Sequence, residues 1–154
     1  MLSANEFSVG HVCDATAGLT LVLPRGQGDM AFLVAGSDRS KIAVFLEGEH
    51  RFLSFECSGN MSWSGIIVPN VTVEVDETSV TDSAPPGVLV RSGTSLAIKT
   101  KQEGGMGTQT VPVATGLALC SDTLIARFTR WRVVIGDGIS KRELRAIDTA
   151  AKVG

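Results

Sequence analysis

Val71, Val73 and Val75 alternate with Thr72, Glu74 and Asp76. Successive side chains of an extended chain point to opposite faces, so this spacing describes a half-buried β-strand. The rest of the chain repeats the theme in short pieces. Leu19–Leu23 alternates and then meets Pro24 and Gly26, while Met30–Ala35 and Ile42–Leu46 are continuous apolar runs. Glu47-Gly48-Glu49 reads as a hairpin turn, followed by His50–Cys57 with Leu53, Phe55 and Cys57 on one face. Ala84-Pro85-Pro86-Gly87 ends whatever precedes it, because two prolines cannot sit in a central ladder. Val88-Leu89-Val90 and Leu96-Ala97-Ile98 flank the turn Ser92-Gly93-Thr94, and Val111–Leu119 and Leu124–Ile135 are the last strand candidates. Short strands at this spacing predict a mostly β, antiparallel sandwich or barrel in one domain over residues 1–154. No helical pattern lies between the strands, against a parallel α/β sheet.

The C-terminus departs from this pattern. Ser140 and Glu143 have capping-box spacing, and Ile139 and Leu144 have the spacing of a hydrophobic staple. Leu144, Ile147 and Ala151 then recur at helical intervals, which predicts an α-helix over about residues 141–152.

Composition narrows the function classes. With 154 residues, 44% of them hydrophobic and 19% charged, the chain can build a core without a metal or disulfide. No window nears the roughly 18 apolar residues a membrane span requires, and the N-terminus lacks the basic start and apolar core of a secretory signal. Cys13, Cys57 and Cys120 are odd in number and widely spaced, as expected of reduced thiols in the cytoplasm. The sequons at Asn60 and Asn70 then carry no glycan. The net charge of -2 is uneven: residues 1–120 hold 7 Lys+Arg against 12 Asp+Glu, and residues 121–154 hold 7 against 4. An acidic body with a basic end suits an asymmetric partner surface.

Reaction chemistry finds few anchors. His11, Cys13, His50 and Cys57 are the metal-ligand types, but they lack close C-x-x-C or H-x-x-x-H pairing, so no metal or other cofactor is expected. Gly104-Gly105-Met106-Gly107 is followed by Thr108-Gln109-Thr110 and not by the Lys of a phosphate loop, which makes it a hairpin loop. No G-x-S-x-G elbow accompanies the two histidines, and of the paired carboxylates Glu47/Glu49 and Asp76/Glu77, Glu47 and Glu49 flank Gly48 at a turn, where solvated charges fall. Catalysis is therefore not the expectation.

Two segments point to binding. The first is Asn60-x-Ser62-x-x-Gly65, a polar turn before apolar strand residues. It resembles the second half of the PilZ-domain signature, [DN]-x-S-x-x-G. The resemblance implies a cyclic dinucleotide held by Asn60 and Ser62, with Gly65 allowing close approach. Arg25, Arg39 and Arg51 stand upstream, but none has an arginine four residues away, so the family's arginine pair is unmatched. The alternative is a strand–turn–strand corner in which Gly65 takes positive φ. The second segment is Arg127-Phe128-Thr129-Arg130-Trp131-Arg132, arginines interleaved with aromatics as on a nucleic-acid platform. Lys141, Arg142 and Arg145 extend it along the expected helix. Simple alternation puts Arg127, Thr129 and Trp131 on one face and Phe128, Arg130 and Arg132 on the other, which divides the charge. The preferred expectation is a non-catalytic interaction protein, such as an accessory, inhibitor or phage-type structural subunit. Loops on its β scaffold bind a protein partner or a second copy, with no membrane contact. Cyclic-dinucleotide and nucleic-acid binding are the alternatives.

Overall fold

Among the residues that the computed structural model describes, 2–11, 19–24, 31–37, 40–57, 64–83, 85–93, 95–102, 107–113 and 125–150, thirteen strands account for most of the backbone. In chain order they are β1 (Ser8–His11), β2 (Thr20–Leu23), β3 (Phe32–Ser37), β4 (Ser40–Phe45), β5 (Leu53–Cys57), β6 (Ser64–Pro69), β7 (Thr72–Val75), β8 (Leu89–Ser92), β9 (Ser95–Gln102), β10 (Thr108–Pro112), β11 (Ile125–Phe128), β12 (Arg130–Ile135) and β13 (Arg142–Asp148). They form two open sheets. The larger runs β1-β6-β2-β3-β4-β5-β9-β8-β11, with β10 also on β9, and the smaller runs β13-β12-β7. Every pairing is antiparallel except β5 with β9. At that parallel junction Ser54 Oγ accepts from Thr100 Oγ1 (2.8 Å) and Gln109 Nε2 (2.9 Å) and donates to the Lys101 carbonyl (3.0 Å).

The mostly β architecture matches the sequence pattern. The continuous apolar runs are strands buried on both faces. Leu21, Leu33, Ala35, Val44 and Val68 face a core shared with Trp131, Val133, Ile135 and Ile147 of the small sheet. Val22, Phe32, Val34, Ala43, Phe45, Phe55 and Ile67 form a second buried cluster. β9 extends to Gln102 and β10 begins at Thr108, and the two pair antiparallel on either side of the glycine-rich segment expected to be a hairpin loop, of which residues 103–106 lie outside the described residues.

The expected C-terminal helix over 141–152 is not formed: Arg142–Asp148 is strand β13, and among the described residues the helices are single 3-10 turns. The pairing explains the misleading periodicity. Val133 lies opposite Arg145 and Val134 opposite Glu143, so Leu144 is the extra residue of a β-bulge. The bulge shifts the side-chain phase by one residue. Leu144 and Ile147, three apart as on a helix, therefore both reach the shared core. Without it they would point to opposite faces. Ser140 does not cap a helix either. Its Oγ donates to the Asp137 carbonyl (2.7 Å) and accepts from the Asp137 N–H (3.3 Å), closing the β12–β13 turn with Gly136 and Gly138 at positive φ. Ile139 is no staple but the fully exposed tip of that turn.

One strand-like run serves both sheets. β11 ends at Phe128 on β8, and β12 starts at Arg130 on β7 and β13, so Thr129 is the residue at which the chain changes sheet. Ser79, buried in the 3-10 turn after β7, fastens this corner. Its carbonyl accepts from Thr129 N (3.0 Å) and its Oγ accepts from Arg130 N (3.1 Å). The break at Thr129 resets the alternation, so Phe128 and Trp131 are both buried instead of facing opposite ways.

Candidate functional site

The outward face of the small sheet carries a dense set of paired charged side chains. Arg130 and Arg132 stand two apart on β12 and share that face, while Trp131 between them points into the core. The register sets Arg132 beside Glu74 on β7 and beside Ala146 on β13. Arg130 lies beside Asp148 on β13 and bonds to Asp76, just past the end of β7.

Both guanidinium groups are drawn toward β7. Arg130 Nε donates to Asp76 Oδ2 (3.0 Å) and its Nη2 to Thr78 Oγ1 (3.2 Å). Arg132 donates through Nε (3.1 Å) and Nη2 (2.7 Å) to Glu74 Oε1, and Lys141 Nζ donates to the other oxygen of Glu74. The β13 side is left thinly covered: Glu143 is 3.8 Å from Arg132, and Asp148 accepts from the Ala150 N–H (3.0 Å). The result is an open groove of about 410 Å³ over Ala146, rimmed by Glu74, Asp76, Arg130, Arg132, Glu143 and Asp148. Because Val75, Trp131 and Ile147 pack into the core, they contribute backbone to its floor.

These pairings shift the carboxyl groups. The Thr78 hydroxyl, the Thr78 N–H and Arg130 lower Asp76 from its ordinary 3.8 to about 2. Lys141 and Arg132 hold Glu74 below the usual carboxylate range. A carboxyl group lowered on folding binds fewer protons in the folded chain, so its stabilisation is complete above the unfolded value and is lost as pH falls through the folded one. The melting temperature is therefore expected to fall as pH drops from about 4 toward about 2. In Asp76→Asn that acid-induced fall is shallower, as thermal melts followed by circular dichroism across this range will register.

The other arginines are dispersed. Arg127 lies on β11, in the large sheet. Arg142 pairs with Glu6, and Arg145 lies 3.7 Å from Glu47 and donates to the Leu144 carbonyl (2.9 Å). Arg91, unremarked in the sequence, stacks over the Phe128 ring at 4.7 Å and forms a two-point bridge to Glu77. The structure thus joins only Arg130 and Arg132 of the expected arginine set in one site. The carboxylates that complete it, Glu74 and Asp76, were legible as the polar face of a strand and, for Asp76, as half of a carboxylate pair with Glu77.

Asn60 and Ser62 lie outside the described residues. Gly65 is an ordinary extended residue of β6, not a positive-φ corner. A Cβ there would stand 2.7 Å from Val22 Cγ1 and 2.8 Å from the Leu23 carbonyl oxygen, so close strand packing accounts for this glycine. Cys13 and Cys120 also lie outside the described residues, and among those residues no group of three or more His, Cys, Asp or Glu could hold a metal. No described helix is long and apolar enough to cross a membrane.

Fold and groove together define a small, open, two-sheet β protein with a laddered charged face. A family model described as "Uncharacterised protein y4lG" matches residues 11–154, and the chain belongs to that family. The Uncharacterized protein y4lG of Sinorhizobium fredii (strain NBRC 101917 / NGR234) is 45% identical over 149 residues, covering 94% of this chain and 91% of the relative. No solved structure matches the chain.

Proposed function

We propose that this protein is a non-catalytic recognition module that binds a protein partner through the outward face of the β13-β12-β7 sheet. The observation that carries this reading is the internal pairing of Arg130 and Arg132. A nucleic-acid platform needs cations free to replace counterions along a phosphate chain. Here the arginines are engaged by Asp76 and Glu74, and the same face adds Glu143 and Asp148 against Lys141. Such a mixed, slightly acidic face with a shallow groove suits a protein surface of alternating charge.

The test uses Ala146→Arg, which fills the groove without removing a member of the charge ladder. Immobilised wild-type protein is expected to retain a defined polypeptide from a native-host lysate, and the variant is expected to lose it. DNA and RNA oligonucleotides should not bind at physiological salt, and cyclic dinucleotides should not shift the melting temperature. Equal retention by wild type and variant would overturn the reading. Oligonucleotide binding that weakens steeply with salt would replace it with the nucleic-acid function, and a melting shift abolished by Asn60→Ala would replace it with the PilZ-type one.

A further inference from the structure

β13 is an edge strand of the small sheet, and its pairing fixes where its backbone points. Thr149 N donates to the Thr129 carbonyl (2.9 Å), so Ile147 and Arg145, two and four residues back, turn their N–H and C=O toward β12. Ala146 and Asp148 turn theirs away from it. Arg130, opposite Asp148, has the matching phase: its carbonyl accepts from Asp76 N on the β7 side (3.0 Å). Among the described residues no strand pairs with the far side of β13, and Ala146 is exposed there. An edge of this kind is a template for another strand.

The outward side chains of β13 carry a pattern for that strand. Glu143, Ala146 and Asp148 stand opposite Val134, Arg132 and Arg130, which are alternate residues on one face of β12. Glu143 and Ala146 are three apart in sequence and would lie on opposite faces of a regular strand. The bulge at Leu144 brings both to the groove. The edge therefore reads acid, methyl, acid over roughly 13 Å. These two carboxylates are the ones that the internal ladder leaves over. Glu74 and Asp76 are held by Arg132, Lys141 and Arg130. Glu143 stands 3.8 Å from Arg132, and Asp148 accepts from the Ala150 N–H (3.0 Å) with no ion pair among the described residues. A second copy of β13 is a poor occupant. Antiparallel pairing centred on Ala146 would set Asp148 of one copy facing Glu143 of the other, and like charges directly across are destabilising.

We infer that the edge of β13 takes an extended segment of a partner protein as a fourth, antiparallel strand, with basic, apolar and basic side chains at alternate positions facing Glu143, Ala146 and Asp148. This rests on the reading of the small sheet as a protein-binding surface and names the chemistry of the segment that it binds. The apolar residue exchanges both backbone bonds with Ala146 and sets its side chain against the methyl. The Leu144 carbonyl already accepts from Arg145 Nη1 (2.9 Å), so the new ladder runs over Ala146 and Asp148, and Glu143 contributes by charge.

Fluorescence anisotropy of labelled heptapeptides, blocked at both ends, tests it at physiological salt with up to about 500 μM protein. Thr-Lys-Thr-Val-Thr-Lys-Thr should bind the wild type. Thr-Thr-Lys-Lys-Val-Thr-Thr has the same charge and composition but its lysines on opposite faces, and should bind at least about tenfold more weakly. The same loss is expected when the first peptide is N-methylated at valine, which removes the backbone donor to Ala146, or carries glutamate in place of both lysines. The double variant Glu143→Gln/Asp148→Asn should bind the first peptide about fivefold more weakly than wild type. Its melting temperature should be unchanged, because asparagine keeps the acceptor for the Ala150 N–H. A wild type that ignores the first peptide, equal binding of the rearranged or N-methylated peptide, or undiminished binding by the double variant would overturn the inference. A wild type that ignores the first peptide yet captures a host polypeptide in an Ala146-dependent way would sink strand addition alone and leave the recognition reading standing.

Discussion

Trp131→Ala lowers the free energy of unfolding by about 3–5 kcal/mol, the loss expected on truncating a buried tryptophan. Trp131 is 3% exposed and belongs to the core between the two sheets, with Leu21, Leu89, Val133 and Ile147. It also carries a buried polar bond that joins β12 to the Pro85–Gly87 turn: Nε1 donates to the Gly87 carbonyl at 2.8 Å. The substitution opens a cavity and leaves that carbonyl without its donor. Trp131→Phe separates the two effects. It keeps most of the volume and loses the donor, at a cost of about 1–3 kcal/mol for the unpaired carbonyl. Denaturant unfolding of wild type and both variants measures this, with the slope m checked for constancy. A loss below about 1 kcal/mol for Trp131→Ala would mean that the small sheet is not anchored through this residue.

Gly87→Ala is expected to cost about 2–5 kcal/mol, combining a left-handed backbone with overpacking. Gly87 has φ +98°, and a Cβ placed on it would lie 2.3 Å from Phe52 Cε2. The ring is hemmed in, because Phe52 is 4% exposed within the core and its backbone is held at positive φ, 69°. Its N–H donates to the Phe45 carbonyl (2.8 Å) and its carbonyl accepts from Lys101 N (2.8 Å), which ties it to β4 and β9. Phe52→Leu in the Gly87→Ala background should recover part of the loss, since it relieves the clash but not the backbone strain. Chemical denaturation of the single and double variants gives the coupling. If Gly87→Ala unfolds at the same midpoint as wild type, the packing of Phe52 on this turn is not as described.

Most strands were legible because their cause is local. Thr72–Val75, Leu89–Ser92 and Ser95–Gln102 declare themselves through period-two or continuous apolar runs bounded by glycine and proline. The errors fall where the phase of that alternation is reset by a partner. At Leu144 a bulge against Val133 and Val134 turns a helical spacing into a strand, and good helix formers such as Glu143, Leu144 and Arg145 yield to the pairing. At Thr129 the change of sheet puts Phe128 and Trp131 on the buried side together. Only Arg130 and Arg132 of the expected site were readable as a pair on one face. That their charges are spent on Glu74 and Asp76 was not, since those carboxylates are separated from them by more than fifty residues in sequence.

By itself, then, the order of residues determined the β class, the main turns and the positions of most strands, because each depends on near neighbours along the chain. The open two-sheet arrangement, the bulge in place of a helix and the groove over Ala146 were decided by tertiary structure. Each depends on which distant strand lies alongside, and a one-residue shift in that pairing moves every following side chain to the opposite face.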